Sequence, residues 1–173
     1  MKNKQTRIRK IGFLGIAASL ALLLSYVEFL LPPIYAAVPG IKLGLPNIVI
    51  LYVLYAVGLG PAAAVSLVRL CVSSLLFGNA MTFAYSAAGA ILSLAVMALI
   101  KRTDKLSYTG VSVAGAVTHN LGQLLVAMLL LNTPQIAFYM IVLTVTGTVS
   151  GMLIGLCGAA LLKRIPSGKL FRF

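Results

Sequence analysis

Apolar residues in this chain gather into six stretches, and most breaks between them carry Pro, Gly or Asn. The stretches run from about Ile11 to Leu31, Pro46 to Val57, Ala62 to Phe77, Phe83 to Ile100, Gly110 to Leu131 and Ile136 to Leu162. A helix needs ~20 apolar residues to cross a bilayer. The pattern predicts an all-α membrane protein: six transmembrane helices forming one integral membrane domain over residues 1–173. The second stretch is short for a crossing, so part of the segment before it is expected within the membrane. That segment, Pro32 to Pro46, is punctuated by Pro39, Gly40 and Gly44 and reads as a lid or re-entrant loop. The N-terminal apolar run exceeds the ~7–15 residues of a signal-peptide core and carries an acid near its far end. It is read as a retained first span.

Charge adds a direction. All but two of the 14 Lys and Arg lie before the first stretch, after the fourth or after the sixth. Six crossings put all three groups on one side, and basic residues collect on the cytoplasmic side. Both termini are therefore expected in the cytoplasm of a multi-pass protein of the cell membrane. In a soluble protein the net charge of +12 would suggest nucleic acid, but here it is a topology signal with some attraction to anionic lipid. Partners are thus the bilayer and a small molecule, with no nucleic acid. Cys71 and Cys157 fall inside apolar stretches and read as packing residues.

The two remaining cations are Lys42 and Arg69, and the only acids are Glu28 and Asp104. Arg69 falls near the middle of its span, where an uncompensated charge costs at least ~3 kcal/mol. Glu28 is the only acid at membrane depth, because Asp104 belongs with the basic inner loop. Glu28 is equally placed to serve Lys42, and two cations against one acid leave a surplus positive charge. That surplus is met either by an anionic ligand or by structural pairing. The fifth stretch carries His119, Asn120 and Gln123, and residues 119 and 123 share a helix face. In hydrocarbon such groups turn inward, to neighbouring helices or into a polar cavity. Asn47 and Tyr85, with Ser86, lie toward the same outer side. The candidate substrate-binding set is Lys42, Asn47, Arg69, Tyr85, His119, Asn120 and Gln123.

Small residues recur at two places: Ala17 and Ala21 on the first span, and Gly147, Gly151 and Gly155 on the sixth. Both spacings allow close helix contact, and internal packing is the plain reading of each. The chain has no phosphate-binding Walker loop, no metal-ligand spacing and no paired carboxylates. No cofactor, metal or enzymatic activity is expected, because two acids cannot build a magnesium–diphosphate site.

The run Pro39-Gly40-Ile41-Lys42-Leu43-Gly44-Leu45-Pro46-Asn47-Ile48-Val49 resembles the Gx transporter family. So do Arg69, Phe83-x-Tyr85-Ser86, Gly110-Val111-Ser112-Val113 and His119-Asn120-x-Gly122-Gln123. That family is often labelled heptaprenyl diphosphate synthase component I. The likeness covers nearly the whole chain; one departure is Pro46, where the family more often has Ala. The family is in turn similar to the substrate-binding S components of energy-coupling factor (ECF) transporters. The resemblance implies six helices, cytoplasmic termini, an outward pocket under the first loop, and a transmembrane coupling subunit with two ATPase subunits as partners. It also implies that Ala17 and Ala21 form an Ala-x-x-x-Ala face against the coupling subunit. A different role is a non-catalytic membrane subunit of an isoprenoid, quinone or redox assembly, in which the polar groups only staple helices together.

Overall fold

The computed structural model describes residues 2–31 and 43–165. Most of the expected lid, including Lys42, lies outside the described residues, as do Lys169 and Arg172. Six α-helices follow in order: α1 (Lys2–Leu30), α2 (Pro46–Ala56), α3 (Leu59–Phe77), α4 (Ala80–Thr103), α5 (Tyr108–Leu131) and α6 (Tyr139–Arg164). The break before α6 is a 3-10 turn, Pro134–Phe138, started by a proline that has no N–H to satisfy. The protein is an all-α membrane protein.

Most helices outrun the apolar stretches by a few residues because the flanking polar residues also favour helix. α1 begins at Lys2 and carries Lys, Gln and Arg, all good helix formers, ahead of the apolar run. α4 opens on an Asn79 cap whose side chain accepts from the Thr82 N–H, and α5 opens on Ser107, which accepts from the Gly110 N–H. Their C-terminal caps, Asp104 and Asn132, take the left-handed conformation that ends a helix.

Among the described residues, five helical segments are long and apolar enough to cross a membrane. α2 is not: its 11 residues rise ~16 Å against a hydrocarbon core of ~30 Å. Its place is inside the bundle. Pro46 and every residue from Val49 to Leu54 are buried, so α2 is covered on all sides, as an all-apolar helix requires. The other helices follow one another around it in the order α1, α3, α4, α5, α6, with α2 packed against α1, α3 and α6. Outward faces are strongly apolar: Leu75 is 85% exposed and Leu129 78%, a surface suited to lipid.

One end of the bundle gathers the basic segments. Phe13 of α1 lies 6.3 Å from the Tyr52 ring, and the Tyr52 hydroxyl donates to the Ile165 carbonyl at 3.0 Å. Lys101 Nζ donates to the Leu54 carbonyl at 2.7 Å, and the Tyr55 and Tyr108 rings meet edge to face at 4.2 Å. The start of α1 and the ends of α2, α4 and α6 therefore meet, as the charge pattern requires of a single side.

The α6 glycines pack as expected. A Cβ on Gly155 would lie 2.6 Å from Thr109 Cα, and one on Gly151 would lie 2.7 Å from Val113 Cα, so α5 and α6 touch along their backbones.

The small face of α1 requires a correction. Ala17 is 5% exposed and Ala21 fully buried, both in a core shared with Val53, Ala62 and Val65. Covered in this way, the face is not open to a coupling subunit in the described structure. The close approach implied by the Ala-x-x-x-Ala spacing is used internally.

Candidate functional site

At the end of the bundle away from the basic segments, beyond the start of α2, the helices leave a cavity of about 350 Å³. Its walls come from α1 (Ser25, Glu28), Gly44 just before α2, the start of α2 (Asn47), α3 (Arg69, Ser73), α4 (Thr82, Ser86), α5 (His119, Asn120, Gln123) and α6 (Ser150). The short second helix thus explains the site: one element ends halfway and its neighbours continue, leaving polar space within an apolar bundle.

Arg69 is the centre of the site. It lies in the cavity wall, and its Nε is buried with no hydrogen-bond partner among the described residues. An orphaned buried guanidinium N–H is costly, and ordinarily a partner is present in the working state. Across from it, Glu28 accepts a hydrogen bond from the Gly44 N–H. Gly44 holds a left-handed φ of 76°, and a Cβ there would lie 3.1 Å from the Asn47 amide and 3.2 Å from Ile154, so glycine fits where other residues would be strained. Asn47 N–H donates to the Gly44 carbonyl at 2.8 Å and Ile48 N–H to the Leu45 carbonyl at 3.2 Å. These first-turn donors are already used, so α2 offers the cavity its positive dipole end with few free N–H groups.

On the opposite wall α5 presents His119 and Gln123 one turn apart. They are brought close to α4 by Gly122 and Gly89: a Cβ on Gly122 would lie 2.9 Å from Gly89 Cα, and one on Gly89 would lie 2.8 Å from the His119 carbonyl oxygen. Asn120 also lines the cavity, but its Nδ2 donates to the Leu143 carbonyl of α6 at 2.8 Å. Part of its hydrogen-bonding capacity therefore staples two helices.

Five of the expected residues, Asn47, Arg69, His119, Asn120 and Gln123, share this one cavity. Tyr85 is not in its wall, although Thr82 and Ser86 on the same helix are. Residues 82 and 86 share a helix face, and residue 85 is turned about 100° from residue 86. Lys42 lies outside the described residues. Of the serines in the wall, the sequence pointed only to Ser86. The hydroxyls of Ser25, Ser73 and Ser150 donate to backbone carbonyls of their own helices, leaving their oxygen lone pairs toward the cavity. Ser73 stands one turn beyond Arg69, and that spacing was the available signal.

Chemically, the described residues of the wall offer one guanidinium, one carboxylate, an imidazole, several amides and several hydroxyls. Among the described residues no group of His, Cys, Asp or Glu is placed to hold a metal. This arrangement suits recognition of a polar solute within the membrane.

Fold and site thus define a multi-pass α-helical membrane protein with a polar cavity built into one half of its bundle. Residues 17–161 match the family model of heptaprenyl diphosphate synthase component I, and the chain belongs to that family. No curated protein and no solved structure matches it.

Proposed function

We propose that this protein is the substrate-binding component of an ECF-type uptake transporter in the cell membrane, capturing a small anionic or polar molecule. The observation that carries this reading is the cavity of about 350 Å³ walled by Arg69, whose buried Nε lacks a partner among the described residues. Arg69, His119, Asn120, Gln123 and Asn47 are the proposed contacts, with Lys42 contributed from the loop above. The sequence holds no nucleotide-binding loop, so energy for uptake comes from two ATPase subunits through a transmembrane coupling subunit. With Ala17 and Ala21 buried, that subunit meets a lipid-exposed face instead.

A tagged chain purified from its native membrane is expected to bring down the coupling protein and both ATPases. Recovery alone, or with a soluble prenyl synthase subunit only, would overturn the uptake role. The second outcome would favour a non-catalytic membrane subunit of an isoprenoid assembly, a reading supported by the family description and by the Asn120 staple.

A further inference from the structure

We infer that the cavity takes an elongated acid in one orientation: a carboxylate or phosphoryl end inward at Arg69, an N–H or O–H in mid-length, and an apolar ring outward at the Phe29–Phe77 pair. The ligand class rests on the same cavity as the uptake reading, and goes beyond it by fixing the order of groups along the ligand.

Two neighbouring helices set that order independently. On α3, Val65, Arg69, Ser73 and Phe77 follow one another a turn apart. Val65 is buried in the core, and the other three line the cavity. α1 packs against α3 and repeats the order at the same spacing: Ala21 in the core, then Ser25 and Phe29 in the cavity wall. Both helices thus pass from apolar core through polar groups to an aromatic ring at the outer end. Phe77 is the last residue of α3 and Phe29 the last but one of α1, and their ring centroids lie 5.1 Å apart.

Each level calls for its own partner. Arg69 is the innermost residue that α3 adds to the described wall, and its Nε is buried without a hydrogen-bond partner among the described residues. A carboxylate or phosphoryl group pairs side-on with Nε–H and the adjoining Nη–H, through two parallel bonds that a single neutral acceptor does not make. That pairing uses donors of Arg69 alone, whatever Glu28, His119 and Lys42 contact. One turn outward, the Ser73 hydroxyl donates to the Leu70 carbonyl, and on α1 the Ser25 hydroxyl donates to the Ala21 carbonyl. Both oxygens remain acceptors, so the middle of the ligand supplies the donor. At the outer level Phe29 is more than half exposed, and the ring pair keeps open apolar surface. Aromatic side chains at helix ends also anchor proteins at the membrane surface. This pair differs in lining the cavity that leads to Arg69. From Arg69 to Phe77 the helix rises about 12 Å, which sets the length of the ligand. A volume of about 350 Å³ is near the lower end of the ~300–1,000 Å³ usual for small-molecule sites, so one compact molecule fills it.

The test uses the full chain in detergent, with dissociation constants taken from melting-temperature titrations. N-Benzoylglycine carries acid, N–H and ring in the required order. N-Acetylglycine lacks the ring, N-benzoylglycinamide lacks the acid, and benzamidomethylphosphonate replaces the carboxylate with a phosphorus oxoanion. At least one of the two ring-bearing acids should stabilise the chain saturably, and the tighter of them identifies the head group. N-Acetylglycine and N-benzoylglycinamide should bind roughly tenfold or more weakly than that acid. Phe77→Ala should weaken the tighter acid by roughly tenfold and leave N-acetylglycine unchanged. Arg69→Gln should abolish binding of every acid probe, and Arg69→Lys, which restores the charge without the fork, should recover only part. N-Benzoylglycinamide binding as tightly as the acids overturns the proposal, as does N-acetylglycine doing so. Equal losses for both acid types in Phe77→Ala, or no stabilisation by either ring-bearing acid, overturn it too. If Phe77→Ala unfolds the chain, Phe29→Leu must show the same split between ring-bearing and ringless acids; its absence there is equally fatal. Co-purification with ATPases is measured without probes, so the uptake role and the ligand class stand or fall separately.

Discussion

Lys101 at the end of α4 donates from its Nζ to the carbonyl of Leu54 at 2.7 Å, capping the last turn of the short central helix. The same ammonium stands 4.8 Å from the centre of the Tyr55 ring. A helix that ends inside a protein leaves carbonyl groups unsatisfied, and a cation at that end satisfies one of them and opposes the helix dipole. A residue that the charge pattern assigns to an inner loop thus also ties the end of α2 to the end of α4. Lys101→Met should lower stability by about 1.5–3 kcal/mol, the range for a charged hydrogen bond. For a chain of this size that is several degrees in thermal melting, checked in detergent. The neighbouring Arg102→Met, at an exposed position, should change little.

Glycine substitutions should separate into two groups by what surrounds them. On α6, Gly155→Val places a Cβ 2.6 Å from Thr109 Cα, a backbone atom that cannot move aside alone. The α5–α6 contact must then open, and the expected outcome is loss of a monodisperse peak on size exclusion. On α1, Gly15→Ala meets nothing within 4 Å. In mid-helix it should stabilise by about 0.5–1 kcal/mol through helix propensity, measured by melting of the same preparation.

The architecture was legible in the sequence wherever one physical rule dominated. Long apolar stretches mark α1 and α3 to α6 because hydrocarbon tolerates little else, and the basic clusters meet at one end as charge placement requires. The Arg69 and His119–Gln123 groups could be found because polar side chains at membrane depth must converge. Legibility failed where two rules give the same pattern. Ala17 and Ala21 carry a spacing that serves internal packing and docking between subunits equally well, and only burial separates the two. Tyr85 and Ser86 are neighbours in sequence but face different directions on α4, so a motif containing both does not say which one reaches the cavity. The role of α2 as a buried half-length helix is also hidden, because an 11-residue apolar run fits a tilted span or a core helix.

Burial of Ala17 gives a direct test of that correction. Ala17→Leu adds three carbons to a site that is only 5% exposed. Overpacking of this kind costs about 1–3 kcal/mol. The isolated chain, with no partner present, should therefore melt several degrees lower. If Ala17→Leu leaves its melting unchanged and disrupts only a co-purified complex, α1 docks through this face after all.

Asn120 and Gln123 lie within one turn of α5 and line the same cavity, yet their side chains are committed differently. Asn120 is bonded across to the Leu143 carbonyl at 2.8 Å, over Gly147, where a Cβ would come within 2.8 Å of the Asn120 amide nitrogen. Asn120→Ala removes that bond from a half-buried interface and should cost about 1 kcal/mol of stability whether or not a ligand is present. Gln123→Ala removes an amide from the cavity wall. It should leave the unliganded melting temperature nearly unchanged while weakening binding of the ligand that co-purifies with the chain by roughly fivefold to tenfold, the loss of one hydrogen bond to a ligand. Melting curves with and without that ligand, run on both variants, separate the two roles. If the two variants lose stability and binding in the same proportion, α5 acts as a single packing surface, and the division between staple and contact is wrong.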